Sequence, residues 1–240
     1  MFSIFIKTAH NITNNITKSQ AGILGRTENI NCWMERMPDW DMNRTNDITN
    51  SSLSHVVTYY GGPKKLNCVK QCVKFGCDFT KLNSEGTSAL YNACRSKDSD
   101  PETVEYLIEH MTKVRLEEIG LCLKDVSEAK RAKIVRSILS YRQFPRGFKW
   151  NLLHGIFRFL HFTGISRSNI TTHFVQCRGA TLLHEAVSRG DRELVQILLR
   201  HGADPTIKTE RGSTPKEFSS RLYGPFPLIE KDLDEALTTV

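Results

Sequence analysis

The chain has 240 residues, 39% of them hydrophobic and 25% charged, which is enough apolar material for a buried core and argues against a wholly disordered polymer. No run of about eighteen apolar residues occurs, so a membrane-spanning helix is not expected. The formal net charge is +7, but positions 129–184 hold ten Lys and Arg and no Asp or Glu; the basic excess is local and the remainder is net acidic.

Positions 1–51 are rich in Asn and Thr and show no lasting period. They read as a largely disordered, flexible arm with one capping helix over 30–37. The apolar opening at 1–6 is short and no small-residue cleavage site follows, so no secretory signal is expected. Asn11, Asn15, Asn43, Asn50 and Asn169 sit in N-x-[ST] triplets. Without secretion these read as chance matches in an Asn-rich chain.

From position 52 a pattern recurs. Apolar stripes at i, i+1, i+4, i+5 fall at Cys68, Val69, Cys72, Val73, then at Thr103, Val104, Leu107, Ile108. They return at Ile134, Val135, Ile138, Leu139 and at Leu194, Val195, Leu198, Leu199. Each is one face of a short helix. Gly76 and Gly86 are ten apart, as are Gly202 and Gly212. Gly86, Ser88, Leu90 and Ala93 register with Gly179, Thr181, Leu183 and Ala186. His55 and Gly61 are spaced like His184 and Gly190, and Leu152, Leu153, His154 lie thirty before Leu182, Leu183, His184.

The unit at 179–218 is the most complete. Thr181 is placed to cap a helix N-terminus, and Leu182, Leu183, Ala186 and Val187 give that helix one apolar face. Gly190 stops it, being free to take positive φ. A second helix follows, with Leu194, Val195, Leu198 and Leu199 opposite Glu193, Gln196 and Arg200. Gly202 ends it, and Asp204, Pro205, Arg211 and Gly212 mark an exposed hairpin.

Gly179, Thr181, Leu182, Leu183, His184 and Ala186, with the next Gly-x-Thr thirty-three residues on at Gly212 and Thr214, resemble the ankyrin repeat, G-x-T-P-L-H-x-A. The resemblance covers roughly 52–237. It implies an all-α solenoid of about five or six helix-pair repeats with an irregular middle. The clearest repeats lie at 52–112 and 179–218, and degenerate ones at 113–178. It also implies a non-catalytic protein-interaction module, an adaptor or inhibitor, with no cofactor. In that family the hairpin tips and the inner-helix positions on the concave side bind partners. Carried over, these are Phe79, Lys81 and Asn83; Asn92 and Arg95; Glu185 and Arg189; and Thr206, Lys208 and Glu210. The middle units depart from the family in lacking its Gly-Ala-Asp turn. The turns after Asp78 and Asp204 lack the usual Asn, which argues against asparagine hydroxylation there. Positions 219–240 do not resemble an effector module such as a ubiquitin-ligase box.

Cysteines and histidines raise chemistry that the repeat pattern redirects. Cys68, Cys72, Cys77 and Cys94 take the positions of Leu194, Leu198, Ala203 and Val187, where a thiol serves as a small hydrophobe. No Cys-x-x-Cys pair occurs, so neither metal nor disulfide is expected. Reduced thiols suit a cytoplasmic or nuclear setting. His55, His154 and His184 fall at one repeat position, a structural one in the family. No nucleophile motif or phosphate-cradling loop accompanies them.

The span 129–184 remains. Lys130, Arg131, Lys133, Arg136, Arg142, Arg146, Lys149 and Arg158 give it a one-signed surface that attracts anions. An acidic protein partner fits it. The alternative is electrostatic binding of nucleic acid or anionic membrane, with aromatics such as Phe144, Phe148 and Trp150 interleaved. Lys130, Arg131, Ala132 and Lys133 have the form of a minimal nuclear-import signal. The terminus, Thr238, Thr239 and Val240, has the form of a PDZ-domain ligand.

Overall fold

The computed structural model describes residues 27–238 except Ser99, Arg146, Arg167 and Tyr223. Among the described residues regular structure is helical, and an isolated bridge joins Leu82 to Ser88. The chain opens with α1 (Thr27–Arg36). A first antiparallel pair follows, α2 (Leu53–Tyr60) and α3 (Lys65–Lys74), then a second, α4 (Ala89–Arg95) and α5 (Pro101–Glu118). Next come α6 (Glu128–Leu139), α7 (Phe148–Phe162) and α8 (Asn169–Gln176). The third pair is α9 (Leu182–Ser188) and α10 (Arg192–Arg200), and the fourth is α11 (Pro215–Leu222) and α12 (Pro227–Thr238).

Local chemistry starts these helices. Ser88 Oγ accepts from the Tyr91 N–H at 3.1 Å, and an Asp191 carboxylate oxygen accepts from the Leu194 N–H at 3.0 Å. Each satisfies a backbone donor that the first turn leaves free. At α2 and α9 a histidine takes part instead: His55 and His184 accept from the backbone N–H of Ser52 and Thr181 through Nδ1, at 3.3 and 3.1 Å.

The stack is built by like against like. First helices touch in the order α2, α4, α9, α11, and second helices in the order α3, α5, α10, α12. The second pair therefore meets the third directly. Across that joint the Tyr91 hydroxyl donates to Glu185 at 3.2 Å, although 94 positions separate them. One apolar core runs the length of the stack, from Ile30 and Val57 through Leu107 and Leu198 to Leu233, and takes in Cys68, Cys72, Cys77 and Cys94.

This changes the expected repeat count. Among the described residues the stack has four pairs, not five or six, because 119–178 adds no layer. That stretch leaves after α5 and returns at α9. Its stripe at Val135, Ile138 and Leu139 is buried, but α6 lays it on α5. A stripe of this form suits any apolar neighbour, so it could not reveal which one. α7 and α8 pack on each other, and His154 belongs to α7 and not to a repeat turn. Two limbs hold the excursion at its base: Gln143 donates its N–H to Ala180 O at 2.8 Å, and Gly179 to Gln143 O at 2.6 Å.

In the arm the capping helix expected over 30–37 is α1, and the described positions after it are also held against the first pair. Ile30 and Met42 are buried, and α1 packs on α3. The Asn43 amide donates to Gly76 O at 2.9 Å and accepts from the Asp78 N–H at 2.6 Å. Positions 27–51 thus cap the first pair. The arm's first 26 positions lie outside the described residues.

Candidate interaction surface

The hairpin segments form a row along one edge of the stack. Ser84 donates its N–H to Thr49 O at 2.8 Å, joining the first hairpin to the cap. The paired limbs of the excursion stand next. Gly86 is so close to Phe144 that a Cβ on it would lie 1.7 Å from the Phe144 carbonyl oxygen. Beyond them, Glu210 donates its N–H to Arg178 O at 3.0 Å, while Arg142 donates to Gly179 O at 3.2 Å and to Lys208 O at 2.9 Å. The limbs therefore occupy the hairpin place between the second and third pairs; α7 extends from its tip and packs on α8, which also touches α11.

On this row Lys81, Thr206, Lys208 and Glu210 are exposed. Thr206 is held by Asp204, whose carboxylate accepts from its N–H and hydroxyl at 2.7 and 2.6 Å, and Glu210 pairs with Arg178 at 2.5 Å. Four expected contact residues are instead interior. Phe79 is buried and sets its ring edge-on to His110 at 5.9 Å. Asn83 closes its own hairpin by accepting from the Thr87 N–H at 3.0 Å. Asn92 is buried and donates to His55 O at 3.3 Å. Glu185 is buried beneath Tyr91. On hairpin and helix alike one side faces the stack, and these four side chains point in.

Arg95 and Arg189 mark the inner-helix side of the joint. Arg189 donates to Arg95 O at 3.0 Å, and Arg95 reaches Glu85 at 3.2 Å. Burial works against the Arg95 charge, but Glu185 and Glu85 outweigh it and hold its pKa above the ordinary value. Burial, then Glu185, pushes the Tyr91 hydroxyl well above its usual range. Burial also raises the Cys177 thiol to about 12, so it stays protonated and a poor nucleophile. The inner side of α7, with Trp150, Leu153 and His154, rests over Glu85, Arg95 and Cys177 and leaves a void of about 20 Å³. That holds about one water, so Arg95 is a seam residue under α7 and not an open contact.

The basic span does not gather on one element. Lys130, Arg131, Lys133 and Arg136 are exposed on α6, which packs on α5; Lys149 and Arg158 are exposed on α7, which packs on α8. Arg142 is committed to the limbs and lies over the Phe144 ring at 5.3 Å. Arg146 lies outside the described residues. At the other end, Thr238 is in the last turn of α12, its hydroxyl donating to Glu235 O at 2.7 Å. Thr239 and Val240 lie outside the described residues, so a strand-forming tail needs that turn to unwind. Sequence reasoning noted aromatics such as Phe148 among the basic residues but missed that Phe148, Leu152, Ile156, Phe159 and Phe162 share one exposed side of α7. Their helical spacing was the available signal.

The comparisons agree with the geometry of the third pair. A family model for the ankyrin repeat matches residues 178–210. Over 37 residues the chain is 49% identical to the 2-5A-dependent ribonuclease of Homo sapiens, a stretch that is 15% of this chain and 5% of that protein. The likeness is thus one repeat long, and the chain spans only a small part of that relative. His184 ties the start of α9 to the next hairpin through Ser213 O at 3.0 Å, and His55 does the same for α2 through Thr87 O at 3.2 Å. The third pair is an ankyrin repeat in sequence and in shape, and its neighbours repeat the shape.

Proposed function

We propose that the chain is a protein-interaction module, an adaptor or inhibitor, that recognises its partner along the hairpin row and works by binding, not by catalysis. The observation that supports this is the exposure of Lys81, Thr206, Lys208 and Glu210 on hairpins that are each closed by a backbone hydrogen bond, Asn83 N–H to Thr87 O at 3.0 Å and Thr209 N–H to Ser213 O at 2.9 Å. A preorganised edge loses little conformational freedom on binding. Ankyrin repeats generally serve as protein-interaction modules. Glu210 is paired with Arg178, while Lys81, Lys208 and Arg211 are exposed, a balance that favours an acidic surface on the partner. Cys68, Cys77 and Cys94, buried as thiols in the core, suit a reducing compartment, cytoplasmic or nuclear.

Affinity capture with the 240-residue chain tests the reading. Lys81→Glu with Lys208→Glu should deplete the captured partner roughly tenfold or more, with an unchanged melting temperature, since both side chains are exposed. An unaltered partner set would place recognition elsewhere.

A further inference from the structure

Helix α7 is apolar on two opposite sides. Trp150, Leu153, Phe157 and Leu160 are half-buried on the side that carries His154. Phe148, Leu152, Ile156, Phe159 and Phe162 share the other side, where Phe148 is 81%, Phe159 62% and Phe162 85% exposed. Ile165, also exposed, prolongs the ridge past the helix end. A helix apolar all round is ordinarily buried. Here one apolar side is open to solvent. At 3.6 residues per turn the open stripe is about 120° wide. On that wheel Lys149 borders one edge and Arg158 the other.

The charges decide between occupants. A second copy of the chain would set one cation-bordered ridge on another, and positions 129–184 offer no Asp or Glu to pair Lys149 or Arg158. A folded protein would need a groove to receive a convex ridge, with acids along both of its lips. An anionic bilayer surface meets both demands together. Its acyl boundary takes the apolar ridge, and its headgroups lie level with the two cations. This is the in-plane arrangement of an amphipathic interfacial helix, with Lys and Arg stems reaching up to the phosphates. No helix among the described residues is long and apolar enough to cross a membrane, so α7 lies on the surface. We propose that α7 docks this chain on an anionic membrane surface by sinking Phe148, Leu152, Ile156, Phe159 and Phe162 into the headgroup–acyl boundary.

The test is co-sedimentation of the full chain with phosphatidylcholine vesicles, with and without about 30% phosphatidylserine. Binding is expected only to the anionic vesicles, and it should weaken as salt rises, since exposed charges are screened over about 8 Å at physiological ionic strength. Leu152→Glu with Phe159→Glu should weaken it roughly tenfold or more, while circular dichroism and the melting temperature stay as in the parent, both sites being exposed. Lys149→Glu with Arg158→Glu should weaken it too. Absence of binding to anionic vesicles overturns the proposal. So does binding that ignores the α7 variants but is lost when Lys130, Arg131 and Lys133 become Glu, because α6 is then the anion-binding element. A dimer in solution that Phe159→Glu dissociates also overturns it, the ridge being then a contact between copies.

Discussion

His184 carries more of the architecture than its size suggests. Because the Thr181 N–H donates to Nδ1, the ring proton sits on Nε2, where it donates to Ser213 O of the following hairpin. Burial pushes its pKa down to about 4, and burial likewise lowers that of His55. In the unfolded chain a histidine titrates near 6.5. The unfolded state therefore binds protons first as pH falls, and folding loses stability from about pH 6.5 down towards 4. For His184 the full loss is roughly 3 kcal/mol. Melting temperatures measured from pH 7 to pH 4 should decline, and His184→Gln should flatten the decline while lowering stability at pH 7. An unchanged slope in that variant would mean other groups control the window. Gly86 and Gly212 make a second pair of expectations. Both hold positive φ, at +73 and +79, but only Gly86 faces a backbone carbonyl where a Cβ would sit. Gly212→Ala should cost about 1–2 kcal/mol, the left-handed penalty alone. Gly86→Ala should cost several kcal/mol in urea denaturation, and equal costs would show that the Phe144 limb does not press on Gly86.

At the scale of elements, legibility followed how many constraints each segment satisfies at once. The unit at 179–218 joins a cap, a histidine anchor, two apolar stripes and two terminating glycines, and such a conjunction is hard to meet except as a repeat. α6 satisfies the stripe alone. Its Val135, Ile138 and Leu139 are buried as anticipated, but against α5 and not as a layer. Leu153 and His154 mimic the repeat spacing from within α7. The candidate surface was legible by element and less so by side chain. Lys81 and Lys208 are exposed, whereas Phe79 and Asn83 on the same hairpin as Lys81 are inside, because a local period cannot say which limb faces its neighbour. The excursion yields its own expectation. Its limbs already pair at Gln143 and Gly179, so a short turn joining Pro145 to Cys177 should leave the four pairs folded. Calorimetry should show one cooperative transition, lowered by about 1–3 kcal/mol for the packing of α7 over Arg95 and of α8 on α11 that is removed. Loss of cooperative unfolding would make α7 and α8 part of the core and not an addition to it.

For the whole molecule, stability in a stacked array is a sum of the units and of the joints between neighbours, and one joint here is unlike the rest. Most pairs meet partners close in sequence. The joint between the second and third pairs brings Tyr91 to Glu185 over 94 positions. Closing a loop costs entropy that rises only slowly with its length, so the finished structure bears little of the burden. Time bears it instead. The segments 27–118 and 182–238 each contain two helix pairs with local contacts, and each can assemble before the two meet. Refolding should therefore proceed in a fast phase within each half and a slower phase as the halves dock, in keeping with the dependence of folding rate on the separation of contacting residues. The variant with its limbs joined by a short turn should speed the slow phase and leave the fast one unchanged. Until docking is complete, the facing surfaces of α4 and α9 stand open to water, and the newly made chain is exposed to proteases and to aggregation at that joint before any other.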